Sequence, residues 1–433
     1  MRLHGMTTTH PRRLAAAAVT VGSLLVGGLA AASTSGAAPV WSAPTTVGQV
    51  DGSTSMQLAT AGQSTGRAVV AWTTGGRILT SVRAPTGGWT AAVAVSASTE
   101  TASSPAVAIR NDGAAILVWA ARRSADSVIE SSILPAGGSW TAPRVVSAAG
   151  LAASGPVQVG IDGSGTTLAA WAQISGSVRS VTSASLSPSS TWSSPVTVGV
   201  PIASSIRQVA VGVNKTGAAV IGWVRVAGDL YGDVVTRAPG ASFGAPVTIA
   251  NGFLRPLQNQ IHQFHVAIDP TGRASAAWNT VLAWAAVQRA DGTWSAAAFP
   301  NTGRVGGIDL AMDATGTAQL LWSDSGQMKA STLSAGGTWT AATAVLVGSS
   351  PVDLVLTTAG TNVVAGWYDS MTTAITTSVH TAAGWGAASK VSSLSPAAWI
   401  AGVSTAPVGS GALVAWISGT TTPGTVRVSI GTP

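Results

Sequence analysis

Tryptophan recurs along this chain at a nearly constant interval, and that period limits the possible folds more than any other feature. Each member of the series ends a short apolar run, as in Ala114–Trp119, and most have a glycine six residues earlier. The eight members lie about 49 residues apart on average: Trp72, Trp119, Trp171, Trp223, Trp278, Trp322, Trp367 and Trp416. A repeat of this length indicates an array of similar structural units.

A second aromatic series is interleaved with the first. From its second member onward, each residue follows a small turn, as in Gly87-Gly88-Trp89, and a strand-like segment comes after it. The series is Trp41, Trp89, Trp140, Trp192, Phe243, Trp294, Trp339 and Trp385, so that only Trp284 and Trp399 of the 17 tryptophans fall outside both series. Each unit therefore reads as strand, turn, strand, loop, strand, turn and strand.

The first turn of a unit is clearest at Asp269-Pro270-Thr271-Gly272. Asp, Pro and Gly at these positions suit a type I turn whose last residue takes the left-handed conformation. A calcium loop is the alternative, but it needs several oxygen ligands in one loop, and each unit offers one acid. We interpret the Asp and Asn residues of these turns as turn residues.

The strand pattern predicts an all-β fold, because Val, Ile and Thr cluster in short runs broken by turn signals. Units with four antiparallel strands cannot each bury both faces alone, and radial packing around an axis solves this. We therefore predict an eight-bladed β-propeller, or a seven-bladed one if one unit is irregular. Ala-rich runs such as Leu168–Trp171 are expected near the axis, with the tryptophans wedged between blades.

The two ends of the chain predict how the ring closes. The last unit stops after its third strand, at residues 425–430, and the segment around Trp41 supplies the missing fourth strand. Trp41-Ser42-Ala43-Pro44 parallels Trp140-Thr141-Ala142-Pro143. Closure removes exposed sheet edges in a chain that has no cysteine for disulfides. Residues 39–433 are therefore expected to form one propeller domain.

These repeats resemble the secreted bacterial β-propeller repeat proteins of the sialidase-like and lectin-like types. The resemblance covers roughly residues 41–430 and implies the fold much more than a function. Ala290–Trp294 lies where sialidase propellers carry an Asp box, but it lacks the spacing of that motif. The Arg and Glu sugar ligands that propeller lectins repeat in each blade are not repeated here.

Residues 1–38 read as a secretory signal peptide. Arg12 and Arg13 precede the apolar run Leu14–Ala30, and small residues suited to cleavage follow. A membrane anchor is the alternative, but an Ala- and Gly-rich run is weak for a permanent span. We expect a secreted, extracellular protein with no stable membrane insertion after cleavage. Charged residues make up only 9% of the chain and are scattered singly, so the basic stripe of a nucleic-acid binder is missing.

Ligand-binding residues are expected on the face that carries the second-to-third loops and the connections between blades, since these segments vary in length and composition. The richest stretch lies between the fourth and fifth units, close to the loop of the fourth unit. A solvated or self-packed loop is the alternative. No metal site is expected. His262 and His265 are three residues apart, and side chains at i and i+3 of a strand point to opposite faces. The candidate residues are Asp229, Tyr231, Asp233, Arg255, Gln258, His262 and His265.

The sequence offers few residues suited to catalysis. A retaining or inverting glycosidase needs two carboxylates that flank the bond, but the only two glutamates, Glu100 and Glu130, fall in different units. We therefore expect a protein without a cofactor that binds an extracellular glycan or protein. The alternatives are a glycoside hydrolase or lyase with an active site near blades 4 and 5, and a protein-interaction scaffold. Two carboxyl groups about 5–10 Å apart in a central pocket would favour the hydrolase.

Overall fold

The repeat units of the sequence correspond to separate β-sheets. The computed structural model describes residues 39–52, 56–199, 205–250, 263–299, 305–313, 315–333 and 337–432, and all regular structure in these ranges is β-strand. The strands form eight antiparallel sheets, each the size of one sequence unit. The prediction of eight blades is confirmed, and the seven-bladed alternative is wrong.

The strands of blades 1 to 4 follow one another in space as they do in sequence, from the first strand of each blade to its fourth. Two earlier strands, β1 (Val40–Trp41) and β2 (Thr45–Val50), join the last blade. Blade 1 has β3 (Leu58–Gly62), β4 (Ala68–Thr74), β5 (Arg77–Arg83) and β6 (Val93–Ala94); blade 2 has β7 (Thr101–Ile109), β8 (Ala115–Arg122), β9 (Ser127–Leu134) and β10 (Arg144–Val145); blade 3 has β11 (Ala152–Ile161), β12 (Thr167–Ser175), β13 (Val178–Leu186) and β14 (Val196–Thr197); blade 4 has β15 (Ile206–Val213), β16 (Ala219–Ala227), β17 (Asp229–Arg237) and β18 (Val247–Ala250).

Blades 5 to 8 repeat this order, with one additional strand in each of the last two sheets. Blade 5 has β19 (Phe264–Ile268), β20 (Ala274–Asn279), β21 (Ala283–Gln288) and β22 (Trp294–Phe299); blade 6 has β23 (Val305–Met312), β24 (Ala318–Asp324), β25 (Gln327–Leu333) and β26 (Thr343–Val347); blade 7 has β27 (Pro351–Ala359), β28 (Asn362–Asp369), β29 (Ala374–Thr381), β30 (Gly384–Trp385) and β31 (Ser389–Ser393); blade 8 has β32 (Trp399–Val408), β33 (Gly411–Gly419) and β34 (Gly424–Thr432) together with β1 and β2.

The first strands of neighbouring blades meet all the way round the ring. β3 contacts β7, the series continues to β27 with β32, and β32 contacts β3. The N-terminal segment completes blade 8, because Trp41 pairs with Gly431 and Thr45 pairs with Val428. Ser429 also donates its hydroxyl to the Ser42 carbonyl at 2.7 Å. The predicted closure of the ring by the N-terminal strand is therefore confirmed.

The two aromatic series hold neighbouring blades together. Eight apolar clusters each span one interface between blades, and each contains a first-series tryptophan. Trp119 of blade 2, for example, is buried against Val69 and Ile78 of blade 1, and Trp140 packs on the edge of the same cluster. The apolar area that these rings remove from water is the main source of stability between blades.

The turns between first and second strands are built as the sequence predicts. Gly272 has a φ of +91°, and its five counterparts with the same spacing lie between +86° and +92°. Oδ1 of Asp269 accepts hydrogen bonds from the Thr271 amide, the Thr271 hydroxyl and the Arg273 amide at 2.6–2.9 Å. These bonds close the turn on itself and use the carboxylate oxygen that a calcium ion would need.

One expectation about the strands near the axis is wrong. The Ala-rich run Leu168–Trp171 lies in β12, which is the second strand of blade 3, while β11 lines the axis. The second strands are sandwiched between blades and almost fully buried, so they carry the Ala and Trp residues. Most of the first strands, β7 and β23 excepted, are less buried, because one side of each faces the axial space.

Candidate functional site

A cavity that bears chemically useful side chains lies on the propeller axis. Its volume is about 810 Å³, and residues from the first strands of blades 2 to 7 line it, together with residues just before β3 and β19. Arg207 and His265 lie near the start of their strands, on the side of the blade connections, whereas Gln158, Asp309 and Leu356 lie further along theirs. Its polar lining residues are Gln57, Ser104, Gln158, Arg207, Gln208, Gln263, His265 and Asp309.

Bulges in the first strands shape this end of the axial space. The pairing of β7 shifts between Ser103 and Ala106, and that of β27 shifts between Val352 and Val355. Ser104 and Asp353 lie within these bulges, and both have a φ of +53°. A non-glycine residue in this region costs on the order of 1–3 kcal/mol, and such strain concentrates at binding and catalytic sites.

The strained conformation of Ser104 is held by a neighbouring blade. The Ser104 amide donates a hydrogen bond to the side-chain oxygen of Gln57, which lies at the entrance to blade 1. The Ser104 side chain lines the cavity and packs against Gly155, where a Cβ would come within 2.2 Å of the serine oxygen. Position 155 therefore requires glycine, and this part of the cavity wall is closely fitted.

His265 and Asp309 form the central ion pair of the cavity. His265 Nδ1 lies 2.8 Å from Asp309 Oδ1. Oδ1 also accepts the Leu310 amide and Oδ2 accepts the Leu356 amide, both at 2.7 Å. Asp309 therefore links blades 5, 6 and 7, and both of its oxygens are engaged.

The pair also sets the protonation of the imidazole. Burial by itself would lower the pKa of His265, but the charge of Asp309 and the hydrogen bond to it outweigh burial and raise the pKa above its ordinary value. Because Nδ1 is held by the carboxylate, protonation leaves Nε2 as a donor. The side chain keeps 31% of its surface exposed, so a ligand in the cavity can reach it.

Arg207 is the second cationic group of the cavity. It is the second residue of β15, its side chain is exposed, and it forms no side-chain hydrogen bond or ion pair with any residue that the structure describes. Gln158 is likewise an exposed lining residue on β11. Together with His265, these groups can donate hydrogen bonds to the hydroxyl or carboxylate oxygens of a ligand.

The candidate residues from the sequence fall in two different places. Asp229, Tyr231 and Asp233 lie on β17, the third strand of blade 4, and none of them lines the axial cavity. His265 lies on β19 and does line it. The remaining three, Arg255, Gln258 and His262, lie outside the described residues, so their part in a binding site stays a prediction.

The residues of β17 form a cluster of their own. Asp233 is buried, pairs with Arg225 Nε at 2.6 Å and accepts the Thr248 hydroxyl at 2.6 Å. The Arg225 guanidinium also lies 4.1 Å from the centre of the Tyr231 ring. These contacts neutralise and shield Asp233, and they explain its burial without a ligand.

Three useful cavity residues, Arg207, Gln158 and Asp309, were missed by the sequence analysis. Arg207 stands beside Gln208 in β15, and Gln158 and Asp309 share one position in their blades, across the sheet from the residue before the first-series tryptophan. The available signal was a charged residue inside an otherwise apolar strand, as with Asp309 in Val305–Met312. In a propeller such a residue faces either a neighbouring blade or the axis.

The expectation that the two glutamates belong to different units is wrong. Both lie in blade 2, where Arg123 pairs with Glu130 and its Nε lies 3.8 Å from Glu100. Both glutamate side chains are only 2% exposed. They are therefore brought together, but on a structural arginine and away from the axial cavity.

The described part of the chain holds no group of three or more His, Cys, Asp or Glu residues placed to bind a metal ion. Within the same residues, no apolar helix reaches the length needed to cross a membrane.

Comparison with known proteins supplies no family. No family model and no curated protein matches the chain. Solved structures that resemble it include a polysaccharide lyase (TM-score 0.47, 12% identity, 84% of this chain and 88% of that one). A lectin of Aleuria aurantia (TM-score 0.37, 13%, 69% and 98%) and a sialidase of Trypanosoma rangeli (TM-score 0.35, 13%, 69% and 56%) also resemble it. These likenesses include the two types of propeller that the repeats resemble, and they are too distant to bear on ligand or activity.

Proposed function

We propose that this protein is a secreted, non-enzymatic propeller that binds an extracellular glycan in the axial cavity. A cavity of about 810 Å³ is within the usual size range of ligand sites, roughly 300–1,000 Å³. Its lining combines amide side chains, a hydroxyl, a guanidinium and an imidazole. These groups donate and accept hydrogen bonds in the variety that a polyhydroxylated ligand needs.

The observation that carries the proposal is the state of the only carboxylate among the described lining residues. Both oxygens of Asp309 are already engaged, by His265 and by two backbone amides. Glycoside hydrolysis by the usual routes needs two carboxyl groups beside the scissile bond. The described lining does not offer that pair, and this favours binding over hydrolysis.

The test is a glycan-binding screen, followed by titration calorimetry with the strongest ligand. We expect Arg207→Ala to weaken binding at least about tenfold, since a lost hydrogen bond to a charged group is worth roughly 1.5–3 kcal/mol. Arg144→Ala is the matched control, because Arg144 is exposed on β10 at the outer rim. Equal loss in both variants, or no glycan signal at high protein concentration, would contradict the proposal.

Secretion belongs to the same proposal and rests on the sequence of residues 1–38. N-terminal sequencing of the protein recovered from the medium of its native host is the test. A mature chain that begins near residue 38 supports export with cleavage, whereas an uncleaved chain found only inside the cell contradicts it.

A second candidate function, polysaccharide cleavage by a lyase, is favoured by the His265–Asp309 pair. A lyase needs a base that removes one proton, and a carboxylate that orients an imidazole is a common way to provide it. The product of such a reaction carries a double bond that absorbs ultraviolet light. Absorbance that rises with wild-type protein and not with His265→Gln would establish the lyase over simple binding.

A further inference from the structure

Blade 8 contains a second pocket that is separate from the axial cavity. Its volume is about 260 Å³, and it lies between the β33–β34 loop and the connection that leads from blade 7 into β32. Among the described residues that line it, Arg427 is the only charged one. The Arg427 side chain is partly buried and makes no ion pair or hydrogen bond within the described part of the chain.

Arg427 occupies a position that recurs in every blade, directly across the sheet from the first-series tryptophan. In blade 8 this pair is Trp416 with Arg427. In three other blades the same position also carries a charge, namely Glu130, Asp233 and Lys329. A partly buried charge is costly unless it is paired, so the partners of these residues show how the fold normally satisfies the position.

Each of these three counterparts has an ion-pair partner within its own blade. The partner comes from the second strand or from the loop that follows it, and at the matching positions blade 8 has Ser418 and Thr420 instead. Arg427 is therefore the one charge in this series, among the described residues, without a partner in the chain. The three ion pairs are Glu130 with Arg123, Asp233 with Arg225 at 2.6 Å and Lys329 with Asp324 at 2.6 Å.

In blade 2, a carboxylate of the chain itself lies beside the first-series tryptophan and the ion pair. Glu100 lies just before β7, and its carboxylate accepts the Trp119 indole N–H at 3.2 Å and faces Arg123. The strand register puts Ala398 of blade 8 in the place of Glu100, because Trp399 pairs with Gly419 as Thr101 pairs with Arg122.

Blade 8 therefore replaces two long charged side chains with short ones. Ala398 occupies the position of Glu100, and Thr420 occupies the position of Arg123. Both residues line the pocket of blade 8. The indole N–H of Trp416 is buried without a hydrogen-bond partner among the described residues. The indole N–H of Trp119, by contrast, donates to Glu100. The blade lacks a carboxylate at the point where its counterpart has one.

We propose that this pocket binds a sugar residue that carries a carboxylate, and that the ligand carboxylate takes the place that Glu100 fills in blade 2. Arginine binds carboxylates through two parallel hydrogen bonds. The hydroxyls of Ser395, Thr420 and Thr421 line the same pocket and suit the hydroxyls of a sugar ring. The inference rests on the proposed glycan function, and it names the class of sugar for a site outside the axial cavity.

The test titrates the protein with sodium glucuronate, with glucose as the ring without a carboxylate and with acetate as the carboxylate without a ring. We expect glucuronate to bind at least about tenfold more tightly than either control, and Arg427→Gln to remove that advantage. The exposed Arg144→Gln is the matched control and should bind glucuronate as the wild type does. Acetate binding as tight as that of glucuronate would overturn the assignment to a sugar.

A second variant tests the comparison of the two blades without removing Arg427. Ala398→Glu restores the blade 2 arrangement, so it should block glucuronate binding and raise the Tm by about 1–2 °C through the new ion pair. Ala397→Glu, at an exposed neighbouring position, should do neither. Glucuronate binding that survives in Ala398→Glu or in Arg427→Gln would overturn the inference.

The outcome also separates this inference from the proposed function. If glucuronate does not bind but a larger glycan binds and loses affinity in Arg207→Ala, only the proposal of a blade 8 site is contradicted. If no glycan binds at all, both proposals fall.

Discussion

The two faces of the propeller are built from the same strands and differ in nearly every other respect. On one face, the first turns of blades 3 to 6 follow one design: Asp162, Asn214, Asp269 and Asp313 all accept their own turn amides through one side-chain oxygen. Toward the other face, first strands bulge, Ser104 and Asp353 take positive φ values, and Arg207 and His265 line the axial cavity. We infer that the first face contributes to stability, whereas the second face carries residues that do not repeat from blade to blade.

This comparison predicts that substitutions divide by location. Changes in the blade interfaces and in the tight turns should alter the free energy of unfolding and leave ligand affinity unchanged. Changes on the loop face should mainly alter ligand affinity and have smaller effects on the free energy of unfolding.

The largest effect on stability is expected at the interfaces between blades, which run from one face of the propeller to the other. Trp119→Ala should lower the free energy of unfolding by about 3–5 kcal/mol, because it removes a fully buried ring between blades 1 and 2. Urea unfolding followed by fluorescence measures it. Val196→Ala is the control, since Val196 is 60% exposed on β14, and a loss of similar size there would show that the interfaces hold no special share of the stability.

The next effect concerns the tight-turn face. Asp269→Ala leaves the Thr271 and Arg273 amides without their acceptor, and it should cost about 1–2 kcal/mol in unfolding free energy. Asp269→Asn should keep most of the stability, because Asn214 already performs this role in blade 4. If Asp269→Ala weakens glycan binding while the fold stays intact, the division between the faces is wrong.

A smaller effect should appear in the pH dependence of stability. The raised pKa of His265 means that its pairing with Asp309 stabilises the fold fully below the ordinary histidine pKa, near 6.5, and that this contribution is lost as pH rises through the folded-state value. Thermal melts of wild type and His265→Gln between about pH 5.5 and 8 measure it. The wild-type advantage, under about 1 kcal/mol, should shrink toward alkaline pH, and an advantage that grows instead would contradict the assigned pair.

The smallest effect on stability is expected at Arg207. The side chain is exposed and has no partner in the described structure, so Arg207→Ala should change the unfolding free energy by no more than about 0.5 kcal/mol. Thermal and urea unfolding check this. A larger loss would mean that Arg207 supports the fold. Weaker binding by Arg207→Ala would then no longer show a contact between Arg207 and the ligand.

The parts of the fold that repeat could be predicted from the sequence. The Trp period gave the blade number, the Gly spacing gave the left-handed turn residue, and the likeness of Trp41 to Trp140 identified the closing strand. Each of these rests on a physical need that recurs in all blades, which is to fill an interface or to reverse the chain. Recurrence separates such a signal from chance.

The candidate site could be predicted only in part, for the same reason. His265 was identified because it stands in a stretch rich in polar residues, whereas Arg207 and Asp309 lie in mainly apolar strands. Their meaning depends on which strand lines the axis and where its bulges lie, and the sequence pattern does not contain either. Glu100 and Glu130 show the same limit, since a register between strands decides that both reach Arg123.

The most direct test of the central claim is a crystal structure of the protein with the strongest ligand from the glycan screen. The ligand is expected in the axial cavity, within hydrogen-bond distance of Arg207 and His265. A ligand bound on the tight-turn face, with the axial cavity left empty, would contradict the claim that the loop face carries the function.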